Sequence, residues 1–235
     1  MTSDGRGDPG PTPAQRRRDR ERAAARESIL SAARNLAHRE GWDAVTMRRL
    51  ADEIEYSANF AYRYFTGRDD ILLALVRDGF TRLRDTMATA GHGATSMGAT
   101  SSETGPSGPA VAAVRRAAHA YLDFALTEPE LYQLMYSLGG VRVPATDAWM
   151  EGQDIGELFT DLVTDAGDAQ ARQHVLQLWA TAHGLIALHV VGRIDVDPVA
   201  LHTLLEGALT DCLTRALPTN TTPGPITRSR ERKHP

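Results

Sequence analysis

Apolar residues recur at three- and four-residue spacing through most of this chain, and the stripe is interrupted at definite points. Ile29, Leu30, Ala33, Leu36 and Ala37 mark one face of a first helix, with Gly41 as its stop. Met47, Leu50, Ala51 and Ile54 mark a second, for which Thr46 is a suitable N-cap. Ser57 caps a short third helix over 58–64, which Phe65, Thr66 and Gly67 break. A long fourth helix from Arg68 to about Ala90 carries Ile71, Leu72, Leu75, Val76, Phe80 and Leu83. The Gly/Ser/Thr run 91–109 is too long and featureless for a tight turn and reads as a mobile linker. Helical spacing then resumes over 110–127, 128–137, 145–165, 168–191 and 198–216, with Pro198 in a first turn. No strand alternation and no internal repeat interrupts it.

The pattern predicts an all-α fold of about nine helices. A three-helix helix-turn-helix domain occupies 15–68, and a larger helical domain 69–217. Two terminal stretches, 1–14 and 218–235, are rich in Gly, Pro or Arg and read as disordered tails.

Charge sharpens this division. The formal net charge is −4, but residues 14–68 carry 12 Arg against 8 acids, while 111–217 carry 6 Arg against 14. Positive charge lies on the small N-terminal unit and negative charge behind it, a polarity that orients the chain toward a polyanion. Cys212 is the single cysteine, so neither an internal disulfide nor a cysteine-based zinc site can form. The basic N-terminus lacks the apolar segment of a secretory signal, and no apolar stretch approaches a membrane span. The expected compartment is the cytosol.

The third helix has the side chains of a DNA-reading element. Such a helix must be braced from behind, present short or planar groups to base edges and be flanked by phosphate anchors. Met47, Leu50, Ala51, Ile54 and Phe60 supply a brace, and Asn59 offers a donor and an acceptor suited to adenine. Thr46, Arg48, Ser57, Ala58, Tyr62, Arg63, Tyr64 and Arg68 complete the candidate DNA-binding set, with the Tyr62 ring packed and its hydroxyl toward phosphate. The cluster Arg16–Arg22 reads equally as a minor-groove arm or a solvated helix end. The run Gly41-Trp42, Thr46, Leu50-Ala51, Tyr56-Ser57, Tyr62-Arg63-Tyr64-Phe65, Arg68-Asp69, Leu72 resembles the TetR (tetracycline-repressor) family over about residues 26–75. Glu55 stands where that family usually has Gly, Asn59 where a small residue is usual, and Arg68 where Lys is usual. The resemblance implies a dimer that grips a palindromic double-stranded operator and binds a small hydrophobic or aromatic effector.

The rear domain can supply both properties. Leu178, Leu185 and His189 on one helix, and Leu201, Leu205, Ala208 and Leu209 on the last, are candidates for a homodimer interface. Tyr121, Phe124, Tyr132, Met135, Tyr136, Trp149, Trp179 and His183 are candidates for a ligand pocket, with an ordinary aromatic core as the bland alternative. Trp179-x-x-x-His183-Gly184 is similar to the signature of the WHG-type C-terminal domain of some TetR-like regulators. The histidines have no metal-ligand spacing, and no cofactor motif is present. Acid pairs, phosphate loops and nucleophile motifs of an enzyme are likewise missing, since Asp69-Asp70 and Glu128-Pro129-Glu130 read as helix starts. The expected function is a repressor released from its operator by an effector. A helix-turn-helix protein without a small-molecule ligand is the alternative, and a helical enzyme the remote one.

Overall fold

The computed structural model describes residues 12–93, 108–138 and 149–216. These form nine α-helices and one 3-10 turn, with no strand among the described residues. The head consists of α1 (Pro13–Glu40), the 3-10 turn Trp42–Ala44, α2 (Met47–Glu53) and α3 (Ala58–Tyr62). The body consists of α4 (Arg68–His92), α5 (Pro109–Thr127), α6 (Pro129–Met135), α7 (Trp149–Asp165), α8 (Ala171–Val190) and α9 (Pro198–Ala216).

The first helix begins earlier than the composition suggested. Thr12 and Gln15 form a reciprocal capping box: the Gln15 N–H donates to Thr12 Oγ1 at 3.3 Å, and the Thr12 N–H donates to Gln15 Oε1 at 2.7 Å. Pro13 follows at the first helical position, where its missing N–H has no cost. Residues 13 and 14, read as tail, are therefore helix; the stretch 1–11 lies outside the described residues, as do 94–107, 139–148 and 217–235. Gly41, at φ 81, ends α1 as expected.

The head has its own small core. Ile29, Ala33 and Leu36 of α1, Leu50 of α2, Ala61 of α3 and Phe65 are almost wholly buried and close on Ile71 and Leu72 at the start of α4. Trp42 is buried, and its indole N–H donates to the Glu130 carbonyl at 2.9 Å, joining head to body. Asp70, in the first turn of α4, reaches back past the N-cap Gly67, its carboxylate accepting from the Thr66 N–H at 2.9 Å.

Behind the head, α4 and α5 lie side by side along most of their length. Helix α6 crosses α4 where Gly79 leaves room for Met135: a Cβ there would stand 2.6 Å from the Met135 sulfur. Helix α8 starts at Ala171 rather than 168, because Asp168 serves the preceding turn. That carboxylate is buried, accepts from the Gln170 N–H at 2.8 Å and pairs with His174 Nδ1 at 2.6 Å. Among the described residues no helix is long and apolar enough to cross a membrane.

Candidate functional site

The turn into α3 sets how the helix is presented. Three bonds close the end of α2: Ile54 N–H to Leu50 O (3.1 Å), Glu55 N–H to Asp52 O (3.2 Å) and Tyr56 N–H to Ala51 O (2.9 Å). The last two are the bond pair of a Schellman ending, which places its C′ residue in the left-handed region. That residue is Glu55, with φ 57. A side chain thus occupies a conformation that glycine adopts more readily.

Helix α3 is a single turn and a half, shorter than the 58–64 expected, because Arg63 and Tyr64 close in 3-10 fashion on Phe60 and Ala61. Ala61 faces the head core and Phe60 is half-buried against it. Asn59, Tyr62 and Arg63, at i, i+3 and i+4, are exposed on the opposite face together with Ser57. Ser57 occupies the N-cap position without a side-chain cap bond. The Tyr62 ring is 55% exposed, so it is not packed as the sequence suggested. Tyr64 is half-buried and its carbonyl accepts from Arg26 Nη1 at 2.7 Å. Nothing is described of the Ala58 side chain. Tyr56, not among the expected residues, is exposed and stacks on Phe60 at 4.0 Å; its i, i+4 relation to Phe60 was the available signal.

The basic residues divide by what they already hold. Arg48 is exposed. Its neighbour Arg49 makes a bidentate bond to Glu40, which holds that carboxyl below its ordinary range, and Arg39 pairs with Glu53. The Thr46 hydroxyl caps α2 through the Arg49 N–H at 3.3 Å. Arg68 differs from expectation. Its Nε donates to the Val45 carbonyl at 2.9 Å and Nη2 to the Trp42 carbonyl at 3.0 Å, so the guanidinium braces the 3-10 turn against α4.

Behind the head lies a cavity of about 220 Å³ between α4, α5, α7, α8 and α9. Phe80 and Met87 of α4, Ile155 and Phe159 of α7 and Leu178 of α8 give it apolar walls. Tyr121, Tyr136 and Gln153 bring polar tips, and Trp179, 37% exposed, stands at the edge. Of the expected pocket residues, Tyr121, Tyr136 and Trp179 line it. Phe124 packs instead under Arg82, 5.9 Å from its ring, and Met135 fills the space at Gly79. Tyr132 and His183 stand one layer back: the Tyr121 and Tyr132 hydroxyls are 2.7 Å apart, and Tyr132 is hydrogen-bonded to His183 Nδ1 at 2.7 Å. Burial pushes all three tyrosine hydroxyls up and His183 down, so the cluster is neutral near pH 7. The Trp149 side chain lies outside what is described. Gly152 and Gly156 open the α7 wall, a spacing that the sequence displayed but that carries no periodic signal of its own. No group of three or more potential metal ligands is placed to hold an ion among the described residues.

Four of the seven expected dimer residues point inward. Leu178, Leu201, Leu205 and Leu209 are buried in the chain's own core, and Leu205 and Leu209 reach the cavity. Leu185, His189 and Ala208 are half-buried. The uncovered apolar residues lie elsewhere: Leu176 and Leu188 on α8, Val191 just past its end, and Val199 and Leu204 on α9. Open space surrounds Gly184 and Gly207 on the same helices.

Two family models match the chain. Residues 29–75 match the model described as bacterial regulatory proteins, tetR family, and residues 114–212 the one described as tetracyclin repressor-like, C-terminal domain. Among solved structures, a protein of unknown function from Rhodococcus sp. RHA1 is 28% identical, with TM-score 0.64 over 82% of this chain and 95% of that one. A TetR family transcription regulator from Marinobacter aquaeolei VT8 shares the fold at 16% identity and TM-score 0.58, over 84% of this chain and 98% of its own. The fatty acid degradation regulator FadR from Bacillus halodurans does so at 14% identity and TM-score 0.59, over 80% and 94%. Among curated proteins, the tRNA modification GTPase MnmE of Caulobacter vibrioides is 33% identical over 82 residues, 35% of this chain. The chain spans only 18% of that protein's length, and its single lysine, Lys233, follows Arg232 rather than the glycine of a phosphate loop.

Proposed function

The chain belongs to the TetR family of bacterial regulatory proteins, and from that premise we propose that it is a dimeric cytoplasmic repressor, released from a palindromic operator by a small apolar effector. Members of this family are DNA-binding regulators and not enzymes. The observation that carries the reading is the exposed Asn59–Tyr62–Arg63 face of α3, held out by a buried Ala61–Phe65 back. Asn59 reads a base edge, while Thr46, Arg48, Ser57, Tyr62 and Arg63 hold the phosphates on either side. The uncovered α8 and α9 faces meet their copies in a four-helix interface that sets two heads roughly 34–36 Å apart.

Helix α4 supplies the coupling. Its first residues brace the head through Arg68, and about three and five turns further on Phe80 and Met87 wall the cavity. An effector that presses on those two side chains shifts the rod that carries the reading head. A coupling of about 1–3 kcal/mol changes operator affinity roughly 5- to 150-fold. The ligand-free alternative draws support from the size of the cavity, whose 220 Å³ falls short of the roughly 300 Å³ at which ligand pockets usually begin.

The test is selection of duplexes from random sequence by the full chain, repeated with candidate apolar ligands. A two-fold symmetric site, relaxed at one position by Asn59→Ala at a cost of about 1–3 kcal/mol, supports the reading. Selection of no sequence at all would refute it, and ligand titrations that leave affinity untouched would leave the alternative standing.

A further inference from the structure

The first helix is longer than the head needs. Core contact begins at Ile29, and residues 13–24 are all exposed. At 1.5 Å per residue these twelve extend about 18 Å past the packed unit. The sequence specifies this projection. A capping box with Pro13 starts it, Ala23, Ala24 and Ala25 favour helix, and Arg17 pairs with Glu21 at 3.5 Å one turn on. Because it continues a helix already nucleated by packing, it needs no nucleus of its own.

Its charge is placed as well as its backbone. Residues 16–22 hold five arginines against Asp19 and Glu21. Arg18 and Arg22 precede Arg26 by eight and four residues, so all three share one face. Arg26 fixes what that face looks toward: its Nη1 holds the Tyr64 carbonyl, and its guanidinium carbon lies 4.2 Å from the Phe65 ring centroid. Tyr64 directly follows Arg63, the C-cap of the reading helix. The Arg18–Arg22 face therefore continues outward along α1 from the point where Arg26 holds the residues that follow α3.

We propose that this helical extension is a second DNA contact, in which Arg18 and Arg22 hold backbone phosphates flanking the half-site read by α3. The proposal rests on the DNA-binding reading above. It replaces the minor-groove arm, because a helix about 10–12 Å across does not enter a groove about 6 Å wide. An 18 Å reach covers about five base pairs, so each half-site footprint is longer than the reading helix requires.

The test compares the full chain with R18A/R22A and with R16A/R20A, which removes the same charge from the opposite face. Each is titrated on the selected operator with ten flanking base pairs, on the same operator trimmed to its half-sites, and on a 40-base-pair duplex of mixed sequence. The wild type binds the flanked operator at least fivefold more tightly than the trimmed one, and R18A/R22A loses this difference. On every duplex long enough to include flanks, R18A/R22A also lowers the slope of log K on log salt by about 0.9 for each phosphate it no longer neutralises. R16A/R20A changes either quantity by less than half as much. Equal losses in both variants, or wild-type behaviour of R18A/R22A, overturn the proposal even if an operator is found. Should no operator emerge, the slope on the mixed duplex still decides; where one does, Asn59→Ala keeps the flank effect while losing base preference, which separates the two failures.

Discussion

Arg68→Ala separates a brace from a phosphate clamp. The guanidinium makes two charge-assisted bonds, to Val45 O at 2.9 Å and Trp42 O at 3.0 Å. Each such bond contributes about 1.5–3 kcal/mol. Two facts reduce the sum: the side chain is 32% exposed, and Trp42 O keeps a second donor in the Val45 N–H at 3.1 Å. The nearby Asp69, 3.8 Å away on the surface, adds little. The expected loss is about 2–3 kcal/mol, concentrated at the Val45 carbonyl. For a chain of this size that lowers Tm by about 4–12 °C. Thermal unfolding followed by circular dichroism reads the first quantity, and DNA affinity measured across a salt series reads the second. A brace predicts a lower Tm with an unchanged salt slope, and Arg68→Lys, which cannot fork to both carbonyls, recovers only part of the Tm. An unchanged Tm with a slope reduced by about 0.9 would show that Arg68 holds a phosphate after all.

Three further outcomes are expected. Glu55→Gly relieves a left-handed residue worth about 1–2 kcal/mol, offset by about 0.5–1 of glycine chain entropy, and so raises Tm by about 1–4 °C; Glu55→Ala removes the same charge without the relief, and an equal gain from it would refute the backbone explanation. Tyr121, Tyr132 and Tyr136 have folded-state pKa values raised by burial above the unfolded value of about 10, so their contribution is intact below pH 10 and is lost as pH climbs beyond it. Tm measured from pH 8 to 11 falls at the alkaline end, less so in Tyr121→Phe, and a flat profile would count against the buried cluster. L188E/L204E, on the uncovered α8–α9 face, weakens self-association by at least about 3 kcal/mol, over a hundredfold, in sedimentation equilibrium; a dimer indifferent to both charges would place the interface elsewhere.

Helix spacing was plain in the sequence because each stripe has one period and definite stops. Gly41, Thr46, Gly67-Arg68 and Pro198 bound their elements where expected. The side of a stripe that meets a partner was not plain. In α8 the apolar residues run around much of the circumference, and spacing alone cannot say whether Leu178 or Leu188 looks inward; only the placement of α7 and α9 decides it. The pocket set divided for a related reason. Phe124, Tyr132 and Trp179 are alike in composition, yet one packs under Arg82, one is sealed behind the cavity and one stands at its edge. Arg68 was legible as a cation but not as a brace, since its partners are backbone carbonyls more than twenty residues earlier.

The Trp42 bond to the Glu130 carbonyl has a consequence for operator architecture. With His38 also 3.4 Å from Glu130, and Arg34 on Asp78, each head is bolted to its body rather than hung from a tether. In the proposed dimer, a pair of such bodies would work as a caliper of fixed jaw. One inserted base pair between half-sites shifts the far site by about 3.4 Å and turns it by about 35°, and a caliper follows neither. Spacer length should therefore be as strict a part of the recognised sequence as the bases themselves.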